Sequence, residues 1–189
     1  MKIILGSASP RRKKILTKLG LEFEVVPADI DEKSIRHEVA ETLTRELAHA
    51  KSRAVRARLG GHGLVITADS VVECEGKIFE KSSSVEESRS FLLHFFGKKV
   101  SVITSLLVVN TETDASAENT DTGCVYLSEL PEDVLAVASR NGFEQGTAGG
   151  FDINDPILTD YIVTSGDAET ITGMSSRILL ELLKKVTDR

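Results

Sequence analysis

KIILGSASPRR, residues 2–12, is the stretch that decides the fold, because it joins a short apolar strand to a basic helix. Residues 2–5 predict a buried strand that ends in small residues. Ser9 suits the N-cap of a helix, and Pro10 suits its first turn, where the missing N–H costs nothing. Gly20 predicts the end of that helix. A strand that runs directly into a helix indicates an α/β arrangement.

Strands and helices continue to alternate along the rest of the chain. The longest helix is predicted over residues 38–59, where apolar side chains recur at intervals of three and four. The other predicted strands cover residues 22–26, 64–68, 71–72 and 100–109, and the other predicted helices cover 84–97, 131–142 and 175–186. Residues 110–122 are polar and predict a turn or an exposed hairpin. The pattern predicts an α/β or α+β fold, with helices covering a sheet.

Composition excludes several classes of protein. With 41% hydrophobic and 28% charged residues, the chain of 189 residues is a folded globular protein rather than a disordered one. Its longest apolar run, near residues 106–109, is far shorter than the roughly 18 residues of a membrane span. We therefore expect a cytoplasmic protein without a membrane partner. The net charge of −6 argues against a stable nucleic-acid partner.

The cysteines and histidines do not form a metal motif. Cys74 and Cys124 lie fifty positions apart without any CxxC spacing, which predicts two buried or idle thiols in a reducing compartment and argues against a zinc site. The four histidines likewise show no spacing typical of metal ligands.

The turn before the first helix is a candidate phosphate site. A helix N-terminus presents unpaired N–H groups, to which serine hydroxyls and arginines add donors. At 100° per residue, Arg12 falls in the sector of the apolar stripe, where it is expected to meet an anion, whereas Lys13 and Lys14 are expected to be solvated. A solvated basic face is the alternative. Contact with a DNA minor groove is disfavoured, because the run lies in an acidic, folded chain.

Isolated charged residues supply further candidates. The acidic run at residues 29–32 suits a hard cation or a plain surface. Asp69 follows an apolar strand, where a carboxylate is costly unless it has a functional role or a structural partner such as backbone N–H groups. Lys51, at the margin of the long helix's apolar stripe, and Lys81, just before a helix, face either a cleft or solvent.

Six short motifs occur in a fixed order: SxSPRR, PxDIDE, LAxxK, ADSVV, GKIxxK and AGGF. Together they resemble the Maf family of septum-formation-inhibitor-like nucleotide pyrophosphatases, and the likeness runs from Lys2 to the final helix. The resemblance implies a central mixed sheet flanked by helices. It also implies one domain over residues 1–189, with two lobes around a deep cleft, similar to the inosine triphosphatase superfamily.

The resemblance also implies an activity. Members of the family hydrolyse nucleoside triphosphates to the monophosphate and pyrophosphate with a divalent cation, Mg²⁺ or Mn²⁺. The substrates expected here are dTTP, UTP or modified nucleotides, and the role is the removal of nucleotides that should not enter nucleic acid. A homodimer is implied as well. The alternative is a nucleotide-binding regulator of septum formation with little turnover.

Motif positions assign the site residues. The resemblance makes Asp69 the general base and adds Lys51 and Lys81 to the catalytic set. The metal ligands it implies are Glu32 and Asp69. The substrate-binding residues it implies are Ser7, Ser9, Arg11, Arg12, Ser70 and Asn154.

The chain departs from the family pattern at positions that bear on specificity. Asn154 stands where a base-reading glutamine is expected, and Ser70 stands where threonine is usual in the dTTP/UTP type and glutamine occurs in other members. Ser82 replaces a proline, and GMS at residues 173–175 replaces a Gly-Leu-Pro turn. A shorter amide at residue 154 loses an orienting hydrogen bond worth about 0.5–1.5 kcal/mol. We therefore expect a pyrimidine-leaning substrate range that is altered or broad.

Overall fold

The computed structural model describes residues 1–188 and forms a mixed sheet with helices. The strands are β1 (Ile3–Leu5), β2 (Phe23–Val25), β3 (Leu64–Cys74), β4 (Lys77–Phe79), β5 (Lys99–Asn110), β6 (Ser116–Leu127) and β7 (Ile162–Ser165). The α-helices are α1 (Pro10–Lys18), α2 (Ala40–Arg56), α3 (Val85–Phe95), α4 (Glu132–Glu144), α5 (Ala168–Ile171) and α6 (Ser176–Thr187). Short 3₁₀ helices cover Glu32–Ser34 and Pro156–Leu158.

The strand order is β2-β1-β3-β5-β6-β7, with β4 paired to β3. Strand β1 runs parallel to β2 and β3, whereas the β3–β4 and β6–β7 pairs are antiparallel. The predicted mixed sheet flanked by helices is therefore confirmed. Among residues 1–188, no helix is both long enough and apolar enough to cross a bilayer.

The chain divides into two compact units. The first contains Met1–Asp69, Thr104–Asp121 and the C-terminal part from Gly173, and the second contains Ser70–Ile103 and Thr122–Thr172. The single domain over residues 1–189 and its cleft stay predictions.

In the first unit, neighbouring strand residues point to opposite faces of the sheet. Leu5 and Ile66 pack with apolar residues of α1 and α6, whereas Ile4 and Val65 pack with Val55 of α2. The alternation explains why these strands are apolar at nearly every position, since both faces are covered.

In the second unit, apolar residues of α3 and α4 share one core with residues of β3, β5 and β6. Phe95 is fully buried and makes edge-to-face contacts with Phe79 and Phe151, with ring centroids 4.8 and 6.0 Å apart. At the predicted start of α3, the Ser84 hydroxyl accepts a hydrogen bond from Glu87 N at 3.1 Å and so caps the helix.

One sequence prediction of local structure was confirmed and another was wrong. Residues 110–122 form the predicted exposed hairpin, since β5 ends at Asn110, β6 begins at Ser116 and the two strands are neighbours in the sheet. That half of β6 is polar and half-exposed, and the Thr120 hydroxyl lies 2.7 Å from Ser105 Oγ of β5, so cross-strand pairing outweighs weak strand propensity. The two strands expected at residues 64–68 and 71–72 are one continuous strand, β3.

Candidate functional site

The loop from β1 to α1 is held close to β3. Gly6 N donates to Ile66 O at 2.8 Å, and a Cβ at Gly6 would lie only 2.6 Å from Thr67 Cγ2. Ser9 occupies the N-cap of α1 as predicted, with Pro10 following it, but the Ser9 side chain makes no capping hydrogen bond. The backbone N–H of Ser9 donates to Ser7 Oγ at 3.2 Å. The first turn of α1 therefore keeps N–H donors that the cap does not use.

Arg12 lies on the buried side of α1, as its position in the sequence predicts. Its Nε donates to Gly173 O at 3.0 Å, and its Nη1 donates to Ala68 O at 2.9 Å and to Ser7 Oγ at 3.3 Å. Desolvation lowers the pKa of Arg12, an effect that the negative charge of Asp69 partly offsets. All three acceptors are neutral. They belong to the loop, to β3 and to the segment just before α6, so the guanidinium links these three parts of the first unit. Arg11 is half-buried beside it, and its charge also lowers the pKa of Arg12.

Lys51 connects two carboxylates. Its side chain lies on α2 and is buried, and its Nζ is 2.5 Å from Asp69 Oδ1 and 2.8 Å from Glu32 Oε1. Asp69 is buried on β3, and its hydrogen-bond partner is the lysine rather than backbone N–H groups. Glu32, in a 3₁₀ helix, is about one-third exposed, with 35% of its side-chain surface accessible. The solvated alternative for Lys51 is therefore wrong.

The environment of Asp69 changes its acidity. Desolvation by burial is the largest influence and raises the pKa of Asp69, whereas Lys51 and Arg12 act in the opposite direction without reversing the rise. Glu32 also raises the pKa of Asp69, because two negative charges repel. A carboxyl with a raised pKa holds a proton more readily than an ordinary aspartate, which is the property that a general base requires.

Replacing Arg12 with lysine is expected to lower the free energy of unfolding by about 1–3 kcal/mol. A single ammonium cannot reach Gly173 O, Ala68 O and Ser7 Oγ together, so at least one carbonyl loses its donor. Urea denaturation measures the change, and Arg45→Lys, at an exposed arginine of α2, is the control, with an expected change within about 0.5 kcal/mol. Equal losses in the two variants would contradict a structural role specific to Arg12.

The other predicted residues belong to the second unit. Ser70 is half-buried on β3, and Lys81 is exposed and forms an isolated bridge with Ala148. Asn154 is exposed, and its Nδ2 donates to Asp152 Oδ1 at 3.1 Å. The structure therefore brings Ser7, Arg12, Glu32, Lys51 and Asp69 together in the first unit, and it places these three residues in the second.

Glu32 and Asp69 have the donor chemistry of a magnesium site. Hard cations prefer oxygen ligands, and Mg²⁺ is held by one or two carboxylates together with substrate phosphates. Each carboxylate contacts Lys51 through one of its two oxygens. The hydrogen bond from Lys51 to Asp69 uses Oδ1, so the same carboxylate can offer its other oxygen to a cation.

A cavity of about 500 Å³ lies at the end of α2 and contains none of the predicted site residues. Arg53 and Arg56 line it, together with Leu59, Gly61, His62 and Thr111. Both arginines belong to the last turn of α2, where cations offset the helix dipole. The basic character of this cavity therefore has a structural explanation.

Sequence reasoning missed the groups that hold the site residues in place. The acceptors of Arg12 include the carbonyl oxygens of Ala68 and Gly173, and Asp152 holds the Asn154 amide. Backbone carbonyls leave no signature in side-chain identity. The sequence signal that pointed to this region was the departure from the family pattern at residues 173–175. In the structure Gly173 has a φ of 109° and its carbonyl accepts from Arg12.

Comparison with known proteins shows that the chain is similar to them over nearly its full length. The sequence model of the family described as Maf-like protein matches residues 2–186. The chain is 33% identical to a 7-methyl-GTP pyrophosphatase of Idiomarina loihiensis, over 96% of this chain and 93% of the relative. It is 35% identical to a dTTP/UTP pyrophosphatase of Thermotoga maritima, over 92% and 83%. It is 36% identical to a nucleoside triphosphate pyrophosphatase of Chlamydia muridarum, over 96% and 92%.

Among solved structures, the chain is similar to a nucleoside-triphosphatase / dITP/XTP pyrophosphatase from Mycobacterium abscessus. The TM-score is 0.47 and the identity 17%, over 100% of this chain and 97% of the other.

Proposed function

The chain belongs to the Maf-like protein family, and from that premise we propose that Asp69 is the general base of a metal-dependent nucleoside triphosphate hydrolysis. The enzyme class, a nucleoside triphosphate pyrophosphatase that acts on acid anhydrides, follows from relatives with that activity in their names. The observation that carries the proposal is the buried Asp69 carboxylate, whose Oδ1 lies 2.5 Å from Lys51 Nζ.

In the proposed reaction, a water molecule attacks the α-phosphorus and pyrophosphate leaves. The bond between the α-phosphorus and the bridging oxygen breaks, and Asp69 accepts the proton of the water. The raised pKa of Asp69 supports this role, because base strength increases with pKa as long as the group stays ionised. Lys51 keeps part of the carboxylate ionised, since its ammonium favours the charged form.

The loop between β1 and α1 supports a phosphate-binding role. The Ser9 hydroxyl makes no capping hydrogen bond, so the first-turn N–H groups of α1 can donate hydrogen bonds to a phosphate. Arg11, Arg12 and Lys51 provide three cationic groups against the two carboxylates, Glu32 and Asp69. We infer that this local excess of positive charge binds a polyanion although the whole chain is acidic.

Glu32 and Asp69 are the proposed ligands of Mg²⁺ or Mn²⁺. A divalent cation bound there would neutralise negative charge that develops on the phosphates. Lys51 contacts both carboxylates and so fixes their positions relative to each other. Lys81, in the second unit, is the remaining proposed catalytic cation.

The proposed substrates are pyrimidine nucleoside triphosphates such as dTTP and UTP, with a broadened range. The relatives support both a pyrimidine and a 7-methylguanine preference, as their names include dTTP/UTP and 7-methyl-GTP pyrophosphatases. The amide of Asn154 supports the former, because it offers the same donor and acceptor as the family's glutamine on a side chain one methylene shorter.

Replacing Asn154 with glutamine is expected to raise kcat/KM for dTTP and UTP by about two- to tenfold. The longer side chain restores an orienting hydrogen bond worth about 0.5–1.5 kcal/mol. Initial rates of pyrophosphate release measure the effect, and 7-methyl-GTP in the same variant is the control. An equal change for all three nucleotides would show that residue 154 does not read the base.

A nucleotide panel in ¹⁸O-labelled water tests the function. Canonical and modified triphosphates are incubated with the protein in Mg²⁺ and in Mn²⁺, and the products are analysed by mass spectrometry. We expect metal-dependent release of pyrophosphate, with the label in the monophosphate because water attacks the α-phosphorus. Label in pyrophosphate, or in inorganic phosphate, would contradict the reaction. Tight triphosphate binding without turnover would favour the septum-regulator alternative.

A further inference from the structure

Three side chains of metal-ligating type meet in the second unit. Cys74 Sγ, a carboxylate oxygen of Glu75 and a ring nitrogen of His94 all lie within 4.8 Å of one another. None of them belongs to the nucleotide site proposed above. The group combines sulfur, nitrogen and oxygen donors, which distinguishes it from an ordinary cluster of surface carboxylates.

Two structural elements bring the three residues together. Cys74 ends β3, and Glu75 begins the tight turn to β4, while His94 lies in the last turn of α3. Glu75 adopts a φ of 53°, a left-handed conformation that glycine and asparagine adopt more readily than glutamate. The turn therefore places Glu75 beside Cys74, although the backbone conformation at residue 75 is unfavourable for a glutamate.

The His94 ring packs against an aromatic neighbour, but its Nε2 atom has no hydrogen bond within residues 1–188. Nε2 is buried and has no hydrogen-bond partner within residues 1–188. Glu75 Oε2 is 3.7 Å away, which is too far for a hydrogen bond. The ring packs against Phe79 with centroids 5.2 Å apart. A buried nitrogen without a partner is costly, and a cation bound to it would remove that cost.

We propose that Cys74, Glu75 and His94 form a second metal site, with Zn²⁺ as the cation that fits it best. Zinc binds cysteine sulfur, histidine nitrogen and carboxylate oxygen, and three protein ligands leave a fourth position for water. Mg²⁺ does not fit, because it requires oxygen ligands. On binding, the Cys74 thiol releases its proton to solvent, and Nε2 supplies its lone pair while Nδ1 carries the ring proton.

Lys98 is the competitor of the cation. Its Nζ lies 2.8 Å from Glu75 Oε2, and the two side chains are 33% and 60% exposed. An ion pair that is this exposed is weak, so Zn²⁺ displaces the ammonium and Lys98 turns to solvent. Replacing Lys98 with glutamine should therefore tighten Zn²⁺ binding by up to about fivefold.

The proposal departs from the sequence prediction of no zinc site. That prediction weighed the spacing of cysteines and histidines along the chain, and Cys74 and His94 are twenty positions apart without a motif between them. A β-turn and the end of a helix bring them together, which spacing alone does not reveal.

Titration of the purified full chain with Co²⁺, and then with Zn²⁺ in competition, tests the site in an excess of Mg²⁺. Co²⁺ bound to a thiolate gives a charge-transfer absorption that carboxylates do not give, so the readout is independent of the Glu32–Asp69 pair and of any nucleotide hydrolysis. We expect one equivalent of Co²⁺ with this absorption, which Zn²⁺ abolishes.

Variants assign the ligands. Cys74→Ser should abolish the absorption, and Glu75→Gln and His94→Gln should each weaken binding at least tenfold, whereas the matched control Cys124→Ser should keep wild-type binding. Glu75 is exposed and His94 is half-buried, so these two variants test the site even if Cys74→Ser fails to fold. Absence of the absorption in the wild type, or its loss only in Cys124→Ser, would overturn the proposal. So would wild-type binding in both Glu75→Gln and His94→Gln.

Discussion

Replacing Asp69 with asparagine is expected to lower the rate of pyrophosphate release by about 10²–10⁴-fold, the range typical of a lost general base. Asparagine keeps the size and shape of the side chain but cannot accept the proton of the attacking water. Pyrophosphate detection under saturating substrate measures the effect. Asp160→Asn, at an exposed aspartate of the second unit, is the control and should keep the wild-type rate.

The same variant should keep its fold. Burial raises the pKa of Asp69, so the ionised form is disfavoured in the folded state relative to the unfolded chain. A group with a raised pKa contributes stability below its unfolded pKa and loses it as the pH rises through the folded pKa. At neutral pH the Asp69 charge therefore costs stability, and Lys51 keeps Glu32 as a partner in the variant.

We thus expect Asp69→Asn to have an unchanged or higher free energy of unfolding at pH 7. Loss of activity together with a lower stability would indicate a structural aspartate instead. Wild-type turnover in a well-folded variant would show that Asp69 is not the base.

Replacing Lys51 with methionine is expected to lower the free energy of unfolding at neutral pH by about 3–5 kcal/mol, as for other broken buried ion pairs. Methionine fills the space of the lysine stem, but the buried Asp69 loses the cation that favours its charged form. Urea denaturation at several pH values measures the change. Catalysis should fall as well, because Asp69 is then more often protonated.

The pH dependence separates this effect from simple loss of packing. Without Lys51, the pKa of Asp69 rises further, so the variant should be less stable at pH 8 than at pH 5.5 relative to the wild type. The double variant Lys51→Met/Asp69→Asn should lose this pH dependence, since it has no carboxylate at residue 69. If the destabilisation of Lys51→Met is the same at both pH values, the lysine does not act through Asp69.

Much of the first unit could be predicted from local chemistry. A strand that runs into Ser9 and Pro10 sets the start of α1, and helical periodicity places Arg12 on its buried side. Asp69 could be singled out because a carboxylate inside an apolar strand is costly without a partner. Its partner could not be identified, because Lys51 lies on a helix eighteen positions earlier and only tertiary packing brings Nζ to the carboxylate.

Other features depend on contacts that side-chain identity does not encode. The polar start of β6 at Ser116 is a strand because it pairs with β5, whereas its composition alone is equally typical of a turn. The carbonyl acceptors of Arg12 come from residues far apart in the chain. The homodimer and the identity of the catalytic cation stay predictions of the family resemblance, and the cytoplasmic location stays a prediction from composition.

The central claim is that the ionisation of Asp69 controls hydrolysis, and the pH dependence of kcat/KM in the wild type and in Glu32→Gln tests it most directly. The charge of Glu32 raises the pKa of Asp69, so its removal should move the acidic limb of the profile to lower pH when both enzymes are assayed at saturating divalent cation, even though the maximal rate also falls. The ionisation of the substrate is the same for both enzymes and cancels in the comparison. We predict a limb above the ordinary aspartate value of about 3.9 in the wild type and a shift to lower pH in the variant. Identical limbs in the two enzymes would contradict the assignment of Asp69 as the base.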